Sequence, residues 1–456
     1  MEEEASYTEA RDATQDLLFS TEARIPSDIL ELIFEAGARI AQWDATPQPH
    51  PIEIVVSHVN RRWREIALNL ASLWSSIFAS AYDAIAKLET YLHRSKNHAL
   101  RVCLLASTQY WRRDVLDVLR PHLPRFRRFH LVTDFVHPVP TVAAHFDGFD
   151  MPRLECLVYT PLDFGEFNID TLDPVPFLPF TRPSPVLSSI RLNGPTMCLI
   201  RPPFSGIVQL CLSEERFPIP FRSICDTLQS CAVLVKLSFA GHTTHPHRRL
   251  ATPLDVVHVV LPELRFLMLA NGGNSDVLLS ALSAPKLCSL RLTSFDDADL
   301  AYFLQLSQIS KFPVLETLTL VEDTFSLADY RDMARVFPAI RTLKCSNSSY
   351  TDDVLEFLSG DLDGASTPWP TLGSLSFSQA QFTEKHQAML CSLVDARIAL
   401  RAPLVHLFLG TANRWLLDAE RAVWLGERLK LEDGPEVPED GEMRGLVEFA
   451  GDGFRC

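Results

Sequence analysis

Pro313-Val314-Leu315-Glu316-Thr317-Leu318-Thr319-Leu320 is the stretch from which this chain is read. Counted from Leu315, its apolar residues stand at positions one, four and six, and a proline stands two residues before the first. Leucine alternating with threonine is the period-two pattern of a strand that buries one face. Proline has no N–H and disfavours helix in the residue before it. It therefore ends any preceding helix and releases the chain into extended structure.

The motif recurs outward in both directions. Toward the N-terminus it is read from Leu287, Leu264, Leu234, Ile207, Leu187, Leu154 and Phe126, and toward the C-terminus from Ile340, Leu372 and Leu404. The eleven starts are 20 to 33 residues apart, and eight carry the proline: Pro124, Pro152, Pro185, Pro262, Pro285, Pro313, Pro338 and Pro370. A weaker copy is read at Leu100, Cys103 and Leu105. Helical patterns over 298–310, 327–337 and 384–398 fill three of the intervals. Helix, break and strand in constant order predict an α/β fold of parallel strands with helices outside.

The spacing brackets the ~20–29-residue period of leucine-rich repeats, and eleven copies exceed the ~3 a stable stack needs. Residues 81–430 thus resemble a leucine-rich-repeat solenoid, with parallel strands on the concave side. Regular members carry Asn or Cys at the ninth position of each copy. Here Pro195, Gly272 and Ser348 stand there, so the asparagine ladder is missing.

Ahead of the repeats, residues 1–21 are polar and acidic and read as a disordered tail. Next comes Ile25-Pro26-Ser27-Asp28-Ile29-Leu30-Glu31-Leu32-Ile33-Phe34. Pro26 and Ser27 suit a helix start, and Ile29, Leu30, Ile33 and Phe34 form its apolar face. Pro47, Pro49 and Pro51 predict a loop. A second amphipathic helix is read through Val56, Val59, Trp63, Ile66, Ala67 and Leu70, before Leu73-Trp74-Ser75-Ser76-Ile77.

This three-part order resembles an F-box, the helical module that docks on a Skp-type adaptor in cullin-based ubiquitin ligases. Residues 22–80 are assigned to it. Its usual opening Leu is Ile25 here, and the loop between Phe34 and Val56 is longer than common by about ten residues. Leu88-Glu89-Thr90-Tyr91-Leu92-His93-Arg94-Ser95 with degenerate repeats also resembles the large fungal F-box families. The resemblance implies a non-catalytic substrate receptor, an adaptor, a cullin and a protein substrate. It implies adaptor contacts at Ile25, Pro26, Ile29, Leu30, Ile33, Phe34, Val59, Trp63, Leu73 and Trp74. The alternative is a repeat scaffold whose first helices only cap the stack.

Net charge is −15, which argues against a general nucleic-acid binder. Ten cysteines show no CxxC pairing, which fits free thiols in a reducing compartment. The start is acidic and no apolar run reaches ~18 residues. The expectation is an intracellular protein, cytoplasmic or nuclear, with no membrane span. No nucleophile, phosphate-loop or HExxH motif is present, so no enzyme activity, cofactor or metal is expected. His242, His245 and His247 read as a polar loop, because Arg248 and Arg249 oppose a cation.

Within the repeats, positions two, three and five are expected on the exposed concave face. Of these 33 positions eight are basic and two acidic, where composition predicts about three and about four. The expected substrate contacts are Arg191, Lys236, Arg265, Arg291, Arg341 and Lys344, reading an acidic or phosphorylated segment. Arg265, Arg291, Arg341 and Lys344 would converge on one extended peptide. Residues 431–456 read as an acidic tail or terminal cap. Glu432, Asp433, Glu436, Glu439 and Asp440 within it would compete for that face.

Overall fold

The computed structural model describes residues 25–41, 51–80, 85–106, 113–133, 150–161, 184–193, 204–213, 221–240, 258–270, 275–295, 312–346 except 323, 351–360, 368–378, 383–410 and 417–433, with isolated residues in 142–146. The chain forms two compact units that divide between Val132 and Thr133.

The first unit contains α1 (Ser27–Ala41), α2 (Ile52–Val59), α3 (Arg61–Asn69), a 3-10 turn (Ala71–Trp74), β1 (Ser76–Ser80), α4 (Ile85–Arg94), β2 (Leu100–Ala106), α5 (Arg113–Leu119) and β3 (Phe126–Thr133). The second amphipathic helix of the sequence is two helices. The chain is extended at Asn60 (φ −154°, ψ 177°), whose side chain accepts from Trp63 N–H at 2.8 Å. Asparagine is among the best N-caps, so the break costs little. Leu30, Phe34, Val56 and Ala67 form the helical core, and Trp63 packs on Phe34 with ring centroids 5.0 Å apart. Gly37 lets α2 approach α1: a Cβ there would lie 2.6 Å from Ile52 Cδ1.

Trp74 ties these helices to α4. It is fully buried, and its indole N–H donates to the Ala67 carbonyl at 2.8 Å. Tyr91 meets the indole edge-on and the Arg94 guanidinium lies 4.3 Å over it. Tyr91 in turn donates to Glu53 at 2.7 Å, and burial holds the Glu53 carboxyl above its usual range. α4 thus packs on the helices before it.

β1 and β2 pair in parallel with Ile77 against Val102 and Ala79 against Leu104. These four and Ala106 are buried, whereas Cys103 and Leu105 are half-buried. The weak copy at Leu100 is thus read one residue out of register, because a one-residue slip moves every side chain to the other face.

The second unit holds the remaining described strands of the main sheet: β4 (Cys156–Pro161), β5 (Ser189–Asn193), β6 (Gln209–Ser213), β7 (Lys236–Ala240), β8 (Phe266–Ala270), β9 (Ser289–Thr293), β10 (Thr317–Val321), β11 (Thr342–Ser346), β12 (Ser374–Ser378), β13 (His406–Leu409) and β14 (Lys430–Asp433). Each pairs in parallel with the next in chain order. Leu290, Leu318, Leu343, Leu375 and Leu407 stack one against the next, as do Leu292, Leu320, Cys345, Phe377 and Leu409, and all are buried. β14 continues the sheet beyond residue 430, in the segment expected as a tail or terminal cap, with Leu431 in register with Leu407.

The strands begin at position three, after a turn. The position-one N–H donates to the carbonyl three residues back, as in Leu287 to Ala284 (3.1 Å), Leu315 to Phe312 (3.1 Å) and Leu372 to Trp369 (2.9 Å). Pro285, Pro313 and Pro370 take the second place of this β-turn, for which their fixed φ is suited. Ile207 and Leu234 make the same bond without proline, so proline favours the turn rather than creating it. The position-two carbonyl then accepts two N–H groups from the next copy. Cys288 accepts from Glu316 (3.1 Å) and Thr317 (2.9 Å), and Glu316 from Arg341 (2.8 Å) and Thr342 (3.0 Å). Register is set before each strand starts.

The α-helices among the described residues of this unit are α6 (Phe221–Gln229), α7 (Ser275–Ala281), α8 (Leu327–Val336), α9 (Thr351–Ser359), α10 (Glu384–Ala399) and α11 (Ala419–Gly426). The expected helix over 298–310 lies outside the described residues. Ser326 and Asp329 form a capping box at α8. Thr383 N–H donates to His386 Nδ1 at 2.9 Å, which leaves the ring proton on Nε2, 2.9 Å from Asp352 on α9. Arg397 is fully buried in α10. It donates to the carbonyls of Ala402 (2.9 Å), Trp369 (3.0 Å), Pro368 (3.1 Å) and Leu372 (3.2 Å), and burial lowers its pKa to about 10.

Candidate functional site

Two surfaces stand out, one in each unit. The first lies on α1 and α2. Core residues Leu30, Phe34 and Val56 face inward, and the same helices turn apolar residues outward: Ile29, Leu32 and Ile33 on α1, and Ile54, Val55 and Val59 on α2. Leu32 and Ile33 are 56% and 50% exposed. Of the residues expected at the adaptor, Ile29, Ile33, Val59 and Pro26 are exposed, and Ile25 and Trp63 are half-buried. Leu30, Phe34, Leu73 and Trp74 are buried, so they shape this surface from beneath. Leu32, Ile54 and Val55 were not among the expected contacts. Leu32 stands three residues after Ile29, and Val55 four before Val59, which is helical spacing. Arg62 orients the start of α1, donating to the Ile25 carbonyl at 2.6 Å and to Ser27 Oγ at 3.2 Å.

The second surface is the outward face of β5 to β12. It is less open than the sequence suggests. At position five Cys211, Ser238, Met268 and Ser376 are buried, and Arg191, Arg291 and Lys344 are half-buried. Strands ~4.8 Å apart let long side chains cover short neighbours. Arg191 leans on Cys211, whose thiol burial pushes up against the pull of that charge.

The four basic residues expected to converge occupy two rows. Arg265 and Arg341 are at position two, Arg291 and Lys344 at position five, about 10 Å further along the strand. Arg341 is paired with Glu316 at 3.2 Å, and Lys236 lies over the Phe266 ring at 5.4 Å. Phe266 is an exposed aromatic on this face, absent from the expected contacts. Glu432 and Asp433, expected to mask the face, belong to β14, where Glu432 pairs with Lys430. Residues 436–440 and the histidines at 242, 245 and 247 lie outside the described residues.

No family model and no curated protein matches the chain. Among solved structures it is similar to the crystal structure of the Rad7 and Elc1 complex in yeast, at 12% identity and a TM-score of 0.33, over 93% of this chain and 96% of that one.

Among the described residues no three His, Cys, Asp or Glu side chains cluster as metal ligands. No described helix is long and apolar enough to cross a membrane. Burial raises the Cys225 and Cys231 thiols to about 11, which leaves them poor nucleophiles at neutral pH.

Proposed function

We propose that this chain is the non-catalytic substrate receptor of a cullin-type ubiquitin ligase. The helical module takes a Skp-type adaptor, and through it a cullin, while the repeat sheet takes a protein substrate. One observation carries the reading: α1 and α2 expose six large apolar side chains. A helical cap that only closes a repeat stack needs a polar outer face to stay in water. Leu32, Ile33, Val55 and Val59 are the reverse, and exposed apolar groups of this kind mark a docking surface. The receptor contributes proximity, raising the effective concentration of substrate lysines at the ubiquitin-loaded enzyme.

Co-expression with a Skp-type adaptor tests this. The wild-type chain is expected to co-purify with it. Ile29→Asp/Ile33→Asp is expected to lose the adaptor and keep its thermal transition, because both side chains already face water. Equal adaptor recovery from the two proteins would return the module to the role of a cap.

A further inference from the structure

We infer that the strand face around Phe266 binds an extended peptide segment carrying an apolar side chain between anionic groups. The inference rests on the receptor reading for its biological partner, and on the geometry of β7, β8 and β9 for its chemistry. Residues at positions three and five of a strand share one face. On β8 these are Phe266, 44% exposed, and Met268, buried beside it. Lys236 on β7 is in register with Phe266, its Nζ 5.4 Å from the ring centroid. Arg291 on β9 is in register with Met268. Arg265, exposed, immediately precedes Phe266.

The exposed Phe266 ring therefore forms an apolar floor, with Lys236 beside it and Arg265 at the strand start. The flanking positions on β7 and β9, Ser238 and Ser289, are small and uncharged. At these positions nothing repels an anion laid beside the floor. An exposed aromatic with Arg and Lys around it is the composition of an interface hot spot. The charges run against the chain's net −15, so they serve this locality rather than bulk solubility. A purely acidic ligand would leave Phe266 in water, and a purely apolar one would bury the Lys236 and Arg265 charges without an anion beside them. Only a mixed segment satisfies both.

The test uses the full chain bound to its adaptor and labelled peptides of repeated Glu-Glu-Leu, read by fluorescence anisotropy. The control peptides replace Glu with Gln, or Leu with Gly, and a further probe replaces Glu with phosphoserine. Saturable binding of Glu-Glu-Leu is expected, with each control weaker by about tenfold or more. Phe266→Ala is expected to weaken binding by about thirtyfold, and Phe266→Tyr to restore most of it. Arg265→Glu with Lys236→Glu is expected to abolish it. Tighter binding of the phosphoserine probe would name phosphate as the anion, and weaker or equal binding would name carboxylate. No binding of either anionic probe, equal binding of either control, or an unaffected Phe266→Ala would overturn the inference. Adaptor recovery, measured on the same proteins, reports on the receptor reading separately.

Discussion

On α1 and α2 the residues turned to water include Leu32, Ile33, Val55 and Val59; on β7, β8 and the turn before β8 they include Lys236, Arg265 and Phe266. The first surface can gain free energy mainly by losing water from apolar groups. The second presents one aromatic among cations. The contrast is between a surface suited to recognition by shape and one suited to recognition by charge placed around an anchor. In both units the outward residues are carried by elements whose inward side is fully packed, Leu30 and Phe34 in one, Leu267 and Leu269 in the other. Outward residues are thus free to change without cost to the core.

The contrast breaks most visibly in the core. Leu318→Ala, at a fully buried position between Leu290 and Leu343, is expected to cost ~2–5 kcal/mol in urea unfolding, whereas Leu32→Ala should stay within ~0.5 kcal/mol. Arg397→Ala would remove one donor from each of four carbonyls, of which that of Trp369 keeps the Leu372 N–H, and is expected to cost about 3 kcal/mol. Arg397→Lys should recover only part, since an ammonium lacks the planar fork.

Salt sharpens the comparison. Adaptor capture through α1 and α2 should change little between about 0.1 M and about 1 M salt, while binding at Phe266 should weaken as the Debye length falls from ~10 to ~3 Å. Parallel titrations of the two partners check this, and a shared salt dependence would erase the proposed division.

The smallest expected effect concerns pH. The hydrogen bond from Lys385 holds the Asp352 carboxyl below its ordinary range. The folded value lies below the unfolded one, so the contribution is present above the ordinary carboxylate pKa of about 3.9 and is lost as pH falls through the folded value. Asp352 is 44% exposed, so Asp352→Asn should cost less than ~1 kcal/mol at neutral pH. The gap between the two proteins should close in acid unfolding series.

Much of the fold was legible because one buried face repeats with period two. Leu290, Leu318 and Leu343 declare their register without tertiary information. Where the pattern thins the reading slips: the strand at Leu100 is apolar on both faces, Leu104 beside Leu105, and periodicity cannot choose between them. The break at Asn60 interrupts an apolar stripe that continues across it, and only the capping preference of asparagine signals it. The expected adaptor contacts mix exposed Ile29 and Ile33 with buried Leu30 and Phe34. Adjacent residues on an apolar stripe look alike until a neighbour covers one of them. The cations at positions two and five merged into one patch because sequence gives offset along a strand but not how far an arginine reaches over Cys211. Arg397 was invisible, since its partners are backbone carbonyls, which every residue has.

The double acceptance by each position-two carbonyl has a consequence for how such a chain changes over generations. Copies begin 20 to 33 residues apart, yet their strands pair without a slip. All the variation in length is confined between the end of one strand and the next turn. A deletion or duplication cut at equivalent points, such as Leu315 and Ile340, removes or adds one whole strand and leaves every remaining side chain on its own face. The gene can lengthen or shorten in whole copies, and a feature such as Phe266 can be moved along the stack or doubled while still pointing the same way.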